Sequence, residues 1–105
     1  MDDVDIRKAV LIALHDGPDG YRSLVRDFAI AHPDVPAREL EMALQAAARD
    51  LDRTIRRQGQ PTDEARTARR LALMLGVDLD RHGGDRTMGE LLAIWRERDD
   101  FFLRL

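Results

Sequence analysis

The chain has 105 residues, no cysteine and a formal net charge of −3. This length fits one domain with a core of its own, and the 44% apolar and 35% charged residues are typical of a folded, soluble chain. Without cysteine, disulfides, thiolate metal sites and thiol nucleophiles are excluded. The acidic start and the lack of any apolar run of about 18 residues predict a cytoplasmic protein with no signal peptide and no membrane contact.

The spacing of apolar residues predicts an all-α fold, in which residues 1–105 form a single compact domain of about five helices without a sheet. The first helix stops at Gly17-Pro18, and the second stops at His32-Pro33, because the residue before a proline avoids the helical region. The third stops at Gly59-Gln60-Pro61, and we expect the fourth to stop at Gly76. The predicted ranges are 4–15, 21–32, 36–58, 63–75 and 88–98.

The fifth helix has the clearest start. Thr87 and Glu90 stand three residues apart before an apolar stretch, as in a capping box, in which each side chain binds the backbone N–H of the other residue. The helical stripes also predict which side chains form the core. The expected members are Val10, Leu14, Leu24, Phe28, Leu44, Leu51, Leu92 and Trp95.

The apolar face of the third helix has two interpretations. Its residues recur at steps of four and three, which is the spacing of a helix packed inside one domain and also of a short coiled-coil seam. Packing inside the domain is favoured, and a homodimer through this helix or the C-terminal tail is the alternative. The residues of this face are Leu40, Leu44, Ala47, Leu51 and Ile55.

A basic belt begins near the end of this helix. Residues 49–70 carry seven arginines against four acids, a charge of +3, whereas residues 1–48 carry −4 and residues 71–105 carry −2. Arginine binds carboxylates bidentately and also neutralises phosphates. The belt therefore predicts a site for a protein partner or, alternatively, for nucleic acid. Its members are Arg49, Arg53, Arg56, Arg57, Arg66, Arg69 and Arg70.

A helix-turn-helix formed by the first three helices would suit the nucleic-acid alternative. Residues 32–36 would form the turn, and the third helix would enter the major groove with Ala37, Arg38, Glu41 and Gln45 outward. Glutamates on this face are unfavourable beside phosphates, and acids stand one helical turn from several of the arginines. This acid density favours a protein partner.

Two connections contain short motifs that resemble functional ones. His32-Pro33-Asp34 is similar to the tripeptide with which J-domain co-chaperones engage their chaperone partner, but the helix before it lacks the strong basic charge of those proteins. Residues 78–83 resemble the start of a calcium loop, but Gly89 occupies the twelfth position, where a bidentate Glu is required. We interpret the first motif as a helix stop followed by a cap, Asp34, and the second as a polar connection.

The C-terminal residues 101–105 gather two phenylalanines and two leucines. They either close the core as a continuation of the fifth helix or anchor a partner, and core closure is favoured because soluble domains seldom expose a large apolar patch. Phe101, Phe102 and Leu105 are the candidate contacts in the second case.

The sequence contains no recognisable catalytic, cofactor-binding or metal-binding constellation. Ser23 is the only serine and has no glycine elbow, and the three histidines lack ligand spacing. Sixteen arginines against one lysine suggest a GC-rich bacterial genome. We expect a small non-enzymatic helical module that binds another protein as an adaptor, inhibitor or regulatory subunit. A DNA- or RNA-binding regulator is the alternative.

Overall fold

The structure is a computed structural model that describes residues 3–15, 23–54 and 63–98. These residues form five helices and contain no strand; an isolated antiparallel bridge between Pro36 and Thr87 is the β-type pairing found among them. The predicted all-α fold class is confirmed. The helices are α1 (Asp3–His15), α2 (Leu24–Ala31), α3 (Ala37–Thr54), α4 (Asp63–His82) and α5 (Met88–Arg98).

The central pair of the fold consists of α3 and α4, which have the most extensive contact in the described part of the chain. The two helices are antiparallel, since Arg38 at the start of α3 lies 3.9 Å from Asp80 near the end of α4. Both helices bury several alanines, whose short side chains allow close approach of the helix axes. On this pair, α1 packs against α3, while α2 packs against α5.

One hydrophobic core joins the five helices, and all eight side chains expected in it are buried. The apolar face of α3 is also buried in this core, so it packs inside the domain and cannot be the seam of a homodimer. The described members of that face are Leu40, Leu44, Ala47 and Leu51, whereas Ile55 lies outside the described residues.

The fourth helix is longer than predicted. The expected end at Gly76 is wrong, because the helix continues to His82. Gly83 then follows it, with a φ of 110° that is typical of the glycine after a helix. The Gly83 N–H donates to the Leu79 carbonyl at 2.8 Å. A Cβ on Gly76 would lie 3.3 Å from the Glu41 carboxylate of α3, so this glycine permits close packing of two helices.

The other helix bounds differ less from the prediction. Helix α5 has the predicted bounds, and α1 begins one residue early. Helix α2 is shorter than the predicted 21–32, because Ser23 is its N-cap and His32 its C-cap. The predicted residues 55–58 of the third helix lie outside the described residues.

Two inter-helix connections, residues 32–36 and 83–87, pair with each other through their backbones. The Ala37 N–H donates to the Arg86 carbonyl at 2.9 Å, and the Met88 N–H donates to the Val35 carbonyl at 2.9 Å. The first N–H groups of a helix have no acceptor within that helix. Each connection therefore caps the helix that follows the other one, and the predicted cap Asp34 is wrong, since α3 begins three residues after it.

Gly89 adds a third contact between the same two connections. Its N–H donates to the Pro33 carbonyl at 2.9 Å, and a Cβ at Gly89 would lie 2.8 Å from the Pro33 Cβ. The proline of the co-chaperone-like tripeptide thus packs against the glycine that replaces the calcium-binding Glu. In this fold both residues have a packing role.

The predicted capping box at the start of α5 is confirmed. The Thr87 N–H donates to Glu90 Oε1 at 3.0 Å, and the Glu90 N–H donates to Thr87 Oγ1 at 3.2 Å. Arg86 extends this cap, because its Nη1 donates to Glu90 Oε2 at 3.2 Å while its Nε donates to the His82 carbonyl at 2.8 Å. The end of α4 and the start of α5 are therefore joined through one guanidinium.

We expect Gly89→Ala to lower the free energy of unfolding by about 1–3 kcal/mol, the usual cost of forcing a side chain into a packed site. The added methyl would press against the Pro33 backbone, which cannot move without breaking the pairing of the two connections. Gly84→Ala is the control, because its Cβ would meet the flexible end of Arg38 at 3.0 Å. Urea unfolding followed by circular dichroism measures both variants, and equal stability of the two would contradict this role of Gly89.

We also expect a pH dependence from Glu90. The Thr87 backbone N–H and then the Arg86 guanidinium hold the pKa of Glu90 below its ordinary value of 4.5. The stabilisation by this carboxylate is therefore present above pH 4.5 and is lost as the pH falls through the lowered pKa. In thermal unfolding, the stability advantage of the wild type over Glu90→Gln should shrink as the pH falls below 4.5 and through the lowered pKa of Glu90. An advantage that stays constant over this range would argue against the mechanism.

Candidate interaction surfaces

Part of the basic belt lies at one end of the α3–α4 pair. Because the two helices are antiparallel, Arg49 near the end of α3 shares this end with Arg66, Arg69 and Arg70 near the start of α4. All four side chains are exposed, as expected for a partner-binding site. The other predicted contacts lie outside the described residues: the Arg53 side chain, Arg56, Arg57, Phe101, Phe102 and Leu105.

The arginines of α4 continue into a longer exposed stripe. Leu73 and Val77, one helical turn apart, are 70% and 49% exposed. Each of them is two residues, or about half a helical turn, away from the buried Leu75. They therefore point to the side of α4 that is opposite its buried face. Arg66 and Arg70 precede them and Asp80 follows them at alternating steps of four and three, and all are exposed. We call these five residues the outer face of α4.

Leu73 and Val77 differ from the other large exposed apolar side chains in the described part of the chain. Ile12, Ile30 and Met42 are also exposed, but each lies on a different helix. Single exposed apolar residues are common on protein surfaces, whereas adjacent ones form a patch of the kind that binds partners. Sequence reasoning missed this pair, although its position away from the buried stripe of α4 was a readable signal.

A groove of 290 Å³ lies between α1 and α2. Val10, Ile12 and Phe28 contribute to its apolar lining, while Asp27 and His32 add polar groups. The His32 ring centroid lies 5.0 Å from that of Phe28, so the histidine of the co-chaperone-like tripeptide packs on its own helix. The volume is at the lower limit for small-molecule sites, and the outer face of α4 is the stronger candidate surface.

The structure does not present the helix-turn-helix face that the sequence suggested. Ala37 and Glu41 are buried, Arg38 donates to Glu41 Oε2 at 2.8 Å, and Gln45 alone of the four predicted residues is exposed. The connection before α5 covers Ala37 by accepting its N–H at the Arg86 carbonyl, and Glu41 packs beside Gly76 of α4. The N-terminal end of α3 is therefore packed against the rest of the protein and is not exposed for contact with DNA bases.

Glu41 and Asp78 are buried carboxylates. Buried titratable groups are where the unusual acid–base chemistry of functional sites is most often found. Asp78 Oδ2 accepts a hydrogen bond from the Trp95 indole Nε1 at 2.9 Å, which joins α4 to α5 inside the core. Glu41 is bound to Arg38 and lies beside Gly76. Both carboxylates therefore have structural partners.

The calcium-like segment is not a connection, contrary to the prediction. Residues 78–82 are the last helical residues of α4, and the turn begins only at residue 83. The helix continues because Leu75 and Leu79 are both buried on its core face, one turn apart. Within the described residues, no group of three or more acidic or histidine side chains could hold a metal ion.

Comparison of the chain with protein-family models, with curated proteins and with solved structures gave no match. None of the described helices combines the length and the apolar character needed to cross a membrane. The surface of the molecule is therefore the basis on which a function is proposed.

We expect Asp78→Ala to lower the free energy of unfolding by about 1–3 kcal/mol, because the buried Trp95 N–H would lose an acceptor. Asp78→Asn is the matched control, since its amide oxygen still accepts the same hydrogen bond. Urea unfolding monitored by the fluorescence of Trp95, the single tryptophan, measures both variants. If the two substitutions destabilise the protein equally, the hydrogen bond is not the cause.

Proposed function

We propose that this chain is a small non-enzymatic helical module that binds another protein through the outer face of α4. The proposal is based on the exposed apolar pair Leu73 and Val77, which Arg66 and Arg70 precede on the same face. An apolar centre with a charged rim is typical of protein–protein interfaces, and arginine is enriched there. An adaptor, inhibitor or regulatory subunit would act in this way.

The arginines indicate the chemistry of the partner. Arg66, Arg69 and Arg70 extend the apolar pair toward the start of α4, and Arg49 lies at the same end of the α3–α4 pair. A guanidinium binds a carboxylate through two parallel hydrogen bonds, which provides direction as well as attraction. The complementary surface should therefore combine apolar side chains with at least one carboxylate.

A nucleic-acid partner has less support. The burial of Ala37 and Glu41 removes two of the residues that a reading helix would present. Asp80, at the far end of the outer face, would approach phosphates unfavourably. The exposed arginines are the remaining argument for that alternative.

Site-specific photocrosslinking in the native host tests the proposal. A benzophenone amino acid replaces Leu73 in one variant and Ile30, which is 56% exposed on α2, in the control. We expect a discrete crosslinked product from position 73, identified by mass spectrometry, and none from position 30. Adding Arg70→Glu should weaken this product several-fold, because charge reversal repels a carboxylate. The absence of a product from position 73, or equal products from both positions, would contradict the proposed surface.

A further inference from the structure

The outer face of α4 is complementary to itself. Leu73 and Val77 lie two residues before and after Leu75, and Arg70 and Asp80 lie five residues before and after it. Consider two such helices that run antiparallel and are related by a twofold axis at the level of Leu75. A residue that lies a given number of positions before Leu75 in one helix is then opposite the residue that lies the same number of positions after Leu75 in the other. The apolar pair then meets an apolar pair, and Arg70 of each copy meets Asp80 of the other.

We propose that the partner on the outer face of α4 is a second copy of this chain, in a twofold dimer with the two α4 helices antiparallel. The inference rests on the proposed function, since it names the occupant of the same surface. In this dimer Leu73 packs on Val77 of the second copy, and Arg70 pairs with Asp80. With a rise of about 1.5 Å per residue, each ion pair lies roughly 7.5 Å from the axis.

The charges select the antiparallel orientation. A parallel pair would place Arg66, Arg70 and Asp80 opposite identical residues, and like charges across an interface are unfavourable. Arg69 and Arg81 are also equally far from Leu75, but they lie on opposite flanks of the outer face, about 120° apart around the helix axis. Antiparallel pairing therefore keeps Arg69 apart from Arg81 of the second copy. It does bring Arg70 and Arg81 to one flank at nearly the same level, but Asp80 then faces both Arg69 and Arg70 of the second copy and offsets this repulsion.

The paired groups are available on the surface of the folded chain. Arg70 has no hydrogen bond or ion pair within the described part of the chain. The Asp80 side chain is 82% exposed, and its 3.9 Å contact with Arg38 leaves most of the carboxylate accessible.

The dimer should be reversible and sensitive to salt. Its centre consists of two leucines and two valines, a small apolar contact beside the roughly 1,600 Å² of a standard interface. We therefore expect a dissociation constant on the order of micromolar. Added salt should weaken the dimer, because the outer layers of the contact are exposed ion pairs.

Exchanging the charges of the proposed ion pair between Arg70 and Asp80 tests which residues of the two α4 helices face each other. Arg70→Glu places a second carboxylate opposite Asp80 at both ends of the dimer contact, and Asp80→Arg places a second guanidinium opposite Arg70 at both ends. Each variant alone should self-associate at least tenfold more weakly than the wild type. An equal mixture of the two should form a 1:1 heterodimer, because every contact then joins opposite charges. Sedimentation velocity measures the affinities, and native mass spectrometry identifies the heterodimer.

Two controls separate the interface from folding. Arg96→Glu reverses an exposed charge on α5 and should leave self-association unchanged. The double variant Leu73→Ser/Val77→Ser should weaken the dimer at least tenfold, while circular dichroism still shows the helical fold. If either charge variant fails to fold, this apolar variant still decides the question, since both substituted positions lie on an exposed face.

The outcomes distinguish the second copy from another protein. A wild type that keeps its monomer mass of 12.0 kDa up to about 1 mM overturns the dimer, as does a mixture that fails to recover association. In photocrosslinking, a product of twice the chain mass supports self-pairing. A product with a different protein overturns self-pairing and leaves the proposed function in place, and the lack of any product from position 73 contradicts both.

Discussion

Reciprocal capping between two inter-helix connections is the constraint on which the fold depends. The first N–H of α3 is bound by the connection before α5, and the first N–H of α5 is bound by the connection before α3. Since an unpaired N–H buried at a helix start is costly, neither helix can begin favourably without the other. Close packing of Gly89 on Pro33 maintains this pairing and so fixes the start of α5 against the connection before α3.

Helix α4 connects this constraint to the proposed binding surface. One side of the helix packs on α3 and, through the Asp78–Trp95 hydrogen bond, on α5. The opposite side carries Leu73 and Val77 between arginines and an aspartate. Because the core side is packed at several points along its length, the outer face is a continuous stripe on a helix of fixed position, which suits helix-to-helix binding with little loss of conformational freedom.

The length of α4 shows how packing outweighs a local signal. A glycine within a helix costs about 1 kcal/mol relative to alanine, and Gly76 therefore favours an end at that point. Full burial of a leucine side chain contributes about 1.5–3 kcal/mol, and Leu79 is fully buried only because the helix continues past Gly76. The same continuation places Val77 and Asp80 in line with Leu73, so the outer face exists because the core extends the helix.

The amino-acid pattern was enough to predict the five helices, the eight core residues and the Thr87–Glu90 capping box, because each depends on residues three or four positions apart. It also indicated the exposed arginines of α3 and α4, since arginine side chains are rarely fully buried. The folded chain was needed to reveal the cap of α3, the inward direction of Asp78 and Glu41, and the end of α4. These features depend on hydrogen-bond and packing partners that lie far away in sequence, such as the Arg86 carbonyl for the Ala37 N–H. A local sequence pattern cannot indicate a contact that forms only when distant segments fold together.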